Sequence, residues 1–254
     1  MAQRAMRERE ARLGRPRGAV GTAPHAVVLV LPGGGPGGRR GATAAAAAVP
    51  LARRLARAAR DEPLVAHVVR YRSAGTDTAP SGSPPEDPAE ALAHDAEWAV
   101  AEAVRRYGDV PVCLAGADIG GRAALRAAGH EAVSSVIALG PMLEDDGDPV
   151  RQLLGRHVLI VHGTDDARCD PELSFRFAER AKKVNADVCR FEVHTAGHGL
   201  RQHSFEVAAL AQDFVLGTLC GRDLCRPLTD ALAAPPPLGL RMPLAAGFGR
   251  TLRS

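Results

Sequence analysis

The sequence predicts an α/β chain built on a doubly wound, mostly parallel sheet of about six strands. Three observations lead there. Six short apolar runs alternate with helix-length segments between residues 25 and 219. Most of these runs are continuous rather than alternating, as in strands covered on both faces. The turns richest in chemistry follow the runs directly, where open parallel sheets keep their sites.

Taken in order, Ala26–Leu31 (AVVLVL) is the first strand, closed by Pro32 and a glycine cluster, Gly33 to Gly38. Ala42–Arg60 follows as a helix with Val49, Leu51 and Leu55 on its buried side, and Leu64–Tyr71 is the second strand. Ser73–Pro88 is rich in Ser, Pro, Gly and Asp and reads as a surface loop. Residues 89–107 form a helix around Trp98, Val100 and Val104. Val110–Ala115, Val133–Leu139, Val158–Val161 and Val188–Val193 are the remaining strands. Ile119–Ala128, Pro171–Lys183 and Phe205–Leu219 are the helices between and after them. Residues 1–24 are charged and read as a flexible segment; residues 220–254 form a Pro/Gly-rich tail with no helical or strand period.

At 254 residues and 46% hydrophobic content, the chain has material for one sizeable core. A net charge of +3 with dispersed arginines gives nucleic-acid binding no support beyond the Arg-rich first twenty residues. No run approaches the roughly 20 apolar residues that span a bilayer, and the N-terminus lacks a signal-peptide core. The five cysteines are scattered without a C-x-x-C pair, so no metal site is expected and a reducing, cytoplasmic setting is. Cys113 and Cys189 fall in strands and read as buried apolar residues. The expected partner is a small-molecule substrate, with no nucleic acid, membrane or cofactor; the oligomeric state stays open. Gly33–Gly38 also fits G-x-G-x-x-G, but Pro36 and Arg39–Arg40 disturb the helix start that a dinucleotide would need, and Arg70 and Arg72 stand where its acid belongs.

Three strand ends carry the candidate chemistry. Gly116-Ala117-Asp118-Ile119-Gly120-Gly121 leads from a strand straight into a helix. Gly163-Thr164-Asp165-Asp166 follows the next pertinent strand, and Gly197-His198 the last. This ordered set resembles the α/β-hydrolase superfamily over residues 25–219: a G-x-S-x-G nucleophile elbow, an acid loop and a histidine loop, in that order. The likeness is to small, capless esterase-like members, since only 17 residues, Gly140–Arg156, fill the place where larger relatives insert a cap. It implies a catalytic set of Asp118, Asp166 and His198, with an oxyanion hole from the backbone N–H groups of Gly34 and Ile119. Asp165 and the acidic run Glu144-Asp145-Asp146 are the rivals for the acid; His162, His194 and His203 read as structural or surface histidines.

The departure from the family is Asp118 in the serine's place, as in haloalkane dehalogenases and epoxide hydrolases. A carboxylate needs no base to ionise it and attacks alkyl carbon, giving an enzyme ester that a His-activated water then hydrolyses. On an ordinary ester it would give an anhydride, so simple esterase activity is disfavoured. Two other readings stand beside this one: acid/base chemistry without hydrolysis (lyase, isomerase or cyclase), and an inactive binding protein in which Asp118 pairs with a protonated His198. Arg39, Arg40 and Arg72 at the expected mouth would favour an anionic substrate.

Overall fold

A computed structural model describes residues 11–19, 23–34, 42–72, 87–145 and 147–250. The strands are β1 (Arg12–Leu13), β2 (Arg17–Gly18), β3 (Ala26–Leu31), β4 (Leu64–Arg70), β5 (Val112–Ala117), β6 (Val133–Leu139), β7 (His157–Gly163), β8 (Val188–Val193) and β9 (Met242–Pro243). The helices are α1 (Ala42–Ala58), α2 (Pro88–Tyr107), α3 (Ile119–Arg126), α4 (Pro171–Val184), α5 (Ser204–Cys220) and α6 (Arg226–Ala233).

The sheet order is β1-β4-β3-β5-β6-β7-β8-β9, with β2 also paired to β4. The six expected strands, β3 to β8, form its parallel centre, and the short strands at the two edges raise the total to nine. Every residue of β3 is buried, which is why its β-branched run carries no alternation. Helices α2, α3 and α4 cover one face and α1, α5 and α6 the other, each with its own apolar cluster. Cys113 and Cys189 are fully buried in the sheet, and all five cysteines are free.

Neither end is as shapeless as its composition suggests. Arg12–Leu13 and Arg17–Gly18 pair antiparallel with β4. Backbone pairing, not side-chain pattern, holds two-residue strands, so no sequence period announces them. In the tail, Leu228 and Ala231 of α6 and Leu240 beyond it are fully buried, and Met242–Pro243 adds the edge strand β9 to β8. Prolines and glycines there mark turns between short elements rather than an absence of structure.

The chain runs from β3 outward to β4, then returns to place β5 on β3's other side. Such a reversal opens a crevice at the carboxyl ends of the two strands. Leu31 is paired with Gly116, so the turns after β3 and β5 lie side by side at that crevice. Among the described residues, no helix is long and apolar enough to cross a membrane.

Candidate functional site

Asp118 stands between β5 and α3 with φ 54° and ψ −128°, a conformation that L residues adopt only when the surroundings impose it. The surroundings do. Its N–H donates to Leu139 O (3.0 Å), and its own carbonyl accepts from Gly121, Arg122 and Met142 N–H. A side chain at either flanking glycine is excluded: a Cβ on Gly116 would lie 2.1 Å from Gly120 O, and one on Gly120 would lie 2.5 Å from Pro32 O. The two glycines are therefore a steric requirement of this strand-turn-helix, and the turn lifts the Asp118 carboxylate to the crevice. Gly34 lies against it: a Cβ built there would be 3.6 Å from Asp118 Oδ2 and 3.4 Å from Ile119 Cγ2.

Two further strand ends meet the elbow. Thr164 N–H donates to Val193 O (3.0 Å) and Asp165 N–H to Ala196 O (3.1 Å), stitching the turn after β7 to the turn after β8. The stitched turns place His198 Nδ1 at 3.0 Å from Asp166 Oδ2. Asp166 is buried, and its Oδ1 accepts the backbone N–H of Arg168 (2.9 Å) and Cys169 (3.0 Å). Burial pushes its carboxyl up, but these two N–H groups and the His198 ring outweigh burial and hold it below the usual carboxylate range. Thr195 (φ 59°) and Leu200 (φ 53°) bracket His198 in left-handed backbone, as a tightly turned loop demands.

Asp118 and His198 line one cavity of about 1120 Å³, walled chiefly by α1, α5 and the ends of β3 and β6. No hydrogen bond joins them among the described residues. The carboxylate of Asp118 instead meets Arg168 Nη2 at 3.3 Å and Cys169 Sγ at 3.8 Å. The expected alternative pairing of Asp118 with His198 is thus replaced by two separate pairs, Asp118 with Arg168 and His198 with Asp166. Burial first, then the Asp118 and Asp166 carboxylates, push the Cys169 thiol up to about 12, so it stays protonated and donates.

The rivals are elsewhere. Asp165 is exposed and bonded to Thr164 Oγ1. Glu144 and Asp148 serve the buried Arg122, and Asp145 pairs with Arg176; Asp146 lies outside the described residues. The N-cap of α4 is Asp170, which leaves Asp166 to the histidine. His162 is structural: fully buried, it bonds the Ser174 hydroxyl and the Cys169 carbonyl, and so holds the turn that carries Arg168 and Cys169. His194 is exposed and does not line the cavity.

The mouth is lined differently from expectation. Arg72 is engaged with Asp95, Nε to Oδ1 at 2.6 Å, while Arg39, Arg40 and residues 73–86 of the expected surface loop lie outside the described residues. The arginines that line the cavity are Arg54, Arg168 and Arg201. Sequence reasoning missed Arg168 and Cys169. Their signal was position: an Asp ending a strand accepts N–H groups two and three residues on, which turns those residues back toward the site.

No family model matches the sequence, and neither does any curated protein. Solved structures do. An α-β serine hydrolase homologue from Coxiella burnetii is 17% identical, with TM-score 0.56 over 81% of this chain and 90% of that one. An α/β serine hydrolase without lid from Xanthomonas campestris is 20% identical, with TM-score 0.57 over 84% and 89%. Esterase 2 of Thermogutta terrifontis, phosphorylated by paraoxon, is 18% identical, with TM-score 0.57 over 81% and 89%. Likeness at this level establishes the fold: the chain has the α/β-hydrolase architecture that its strand ends resemble.

Proposed function

We propose that this chain is a capless α/β-hydrolase-fold hydrolase in which Asp118 forms a covalent ester with a small organic substrate and His198 activates the water that cleaves it. The observation that carries the reading is the backbone of Asp118. A fold that holds a non-glycine residue at φ 54° on the crevice between two strands retains strain for the sake of that side chain. Among its described residues, segment 140–156 holds one helical turn, Arg151–Leu153, so the substrate meets walls made by α1 and α5.

The missing Asp118–His198 hydrogen bond suits this chemistry. A serine nucleophile needs the imidazole to take its proton; a carboxylate does not. With Nδ1 on Asp166, His198 has Nε2 left as the base for a water. Displacement at an alkyl carbon joins Asp118 Oδ to that carbon while the bond to the leaving group breaks and its electron pair departs with that group. Water then attacks the ester carbonyl, giving a proton to His198 that passes to the departing alcohol oxygen. The N–H groups of Gly34 and Ile119 stabilise the oxyanion between the two events.

The test is the intact mass of a His198→Ala chain after incubation with a panel of alkyl halides and epoxides. An adduct should accumulate, map to Asp118, and be lost when Asp118→Asn is added. A folded His198→Ala chain that takes up none of them overturns the proposal.

A further inference from the structure

Arg168 is the feature the hydrolytic reading leaves unused. Its side chain is 38% exposed and lines the cavity, and Asp118 is its partner among the described residues, at 3.3 Å. That length exceeds the 2.7–2.9 Å of a close guanidinium–carboxylate pair, and the arginine end of the pair reaches solvent while Asp118 is only 7% exposed. The cation is held beside the nucleophile but not locked to it.

We infer that Arg168 receives the leaving group when Asp118 is alkylated, so that the substrate is an alkyl carbon whose leaving group departs as a stable anion, a halide being the simplest. The inference rests on Asp118 acting as nucleophile. In the displacement, a lone pair of Asp118 Oδ makes the new C–O bond, and the electron pair of the C–X bond leaves with X. The negative charge moves from Asp118, now a neutral ester, to X. Arg168 would otherwise lose its counterion at that moment; a guanidinium with five N–H donors can pass from the carboxylate to X without leaving the crevice. One cation thus stays paired throughout. Water then restores the carboxylate, and the net products are alcohol, a proton and X⁻.

An epoxide makes a different demand. Its ring oxygen leaves as an alkoxide and needs a proton, which arginine does not release. The two tyrosines are already bonded, Tyr71 Oη donating to Pro32 O at 3.1 Å and Tyr107 bonding His67 at 2.7 Å, and Cys169, whose thiol faces Asp118 Oδ1, is not among the residues that line the cavity.

The experiment compares alkylation rates of the His198→Ala chain by bromohexane and by the epoxide of hexene, read by intact mass with the site mapped. Bromide displacement should dominate, fall roughly 100-fold when Arg168→Gln is added, and largely survive Arg168→Lys. Free sodium bromide should slow it in the chain that keeps Arg168, a measurement that needs no further variant. Alkylation that is unchanged or faster in Arg168→Gln, epoxide attack as fast as bromide attack, or indifference to free bromide each overturns the assignment of Arg168 alone. Failure of every electrophile to label Asp118 removes the nucleophile itself, and the inference with it.

Discussion

The backbone N–H of Cys169 lies 3.0 Å from Asp166 Oδ1 while the thiol of the same residue points at Asp118 Oδ1, 3.8 Å away. Arg168 repeats the arrangement, with its N–H on Asp166 and its guanidinium on Asp118. One dipeptide therefore ties the acid that orients the histidine to the carboxylate at the elbow. Their positions are set together, and removing either acid tests a different step.

Asp166→Asn should separate the two steps of the reaction. The first needs the Asp118 carboxylate and its neighbour Arg168 but no base, so alkylation in a rapid-quench experiment should keep its rate within a few-fold. The second needs a correctly oriented imidazole, and loss of such a carboxylate partner costs roughly 10- to 100-fold or more. Product should appear without a burst in the parent, and the variant should accumulate the ester. Equal slowing of both phases would mean that Asp166 mainly supports the fold.

Stability should fall with acid in a window set by His162. Burial foremost, then Arg190, bring its pKa down to about 4, against about 6.5 in an unfolded chain. Between those values the unfolded state takes up a proton that the folded state refuses, so the contribution is complete above about pH 6.5 and drains away toward pH 4. The full difference is on the order of 3 kcal/mol. Asp166, held below the carboxylate range, gives up its share at lower pH still, as pH falls through its folded value. Urea midpoints measured from pH 7 to about 4.5 should drop less steeply for His162→Gln than for the parent. Some slope remains, because burial also lowers the pKa of His67. Identical slopes would place the titration elsewhere.

Asp118→Gly should raise stability while removing the nucleophile. The φ 54°, ψ −128° backbone costs a side-chain-bearing residue roughly 1–3 kcal/mol and glycine little of it. The contacts given up are a 3.3 Å pairing with a half-exposed arginine and a 3.8 Å one with the Cys169 thiol, together worth about 1 kcal/mol. A net gain of about 1 kcal/mol is expected, seen as a higher urea midpoint at unchanged slope. A lower midpoint would show that the elbow is not strained.

The six parallel strands were legible because two-sided burial writes itself as continuous apolar runs; β3, β6 and β8 begin and end where the sequence reading places them. The placement of Asp118, Asp166 and His198 at the crevice was legible because each lies in a turn that follows a strand and carries a glycine within three residues. What was not legible depends on contacts between distant segments. Residues 226–243 fold through the burial of Leu228, Ala231 and Leu240, three positions too few for a period. Arg168 reaches Asp118 across fifty residues of sequence, and composition cannot distinguish it from the arginines that pair at the surface. His162 reads from the sequence as structural or surface, and the packing of Ser174 and Cys169 around it decides for the structural role.

Asp118→Ser asks whether the rest of an esterase is present around the elbow. The serine oxygen would sit one atom nearer the backbone than the carboxylate oxygens, out of the reach that Arg168 and Cys169 now have. It would depend on His198 to remove its proton, and His198 is already held by Asp166 at 3.0 Å. Gly34 and Ile119 pack against each other beside the elbow, 3.4 Å separating a Gly34 Cβ position from Ile119 Cγ2. If their N–H groups form the oxyanion hole, the serine chain should hydrolyse p-nitrophenyl acetate roughly 100-fold faster than an Asp118→Ala control, the usual scale of one positioned base. Adding His198→Ala to the serine chain should erase that gain. A folded Asp118→Ser chain no faster than the alanine control would mean that the elbow lacks the donors or the base that acyl transfer requires. The covalent reading would then have to stand on alkyl displacement alone, a reaction that places its developing charge on the leaving group beside Arg168 and reaches the oxyanion only at the second step.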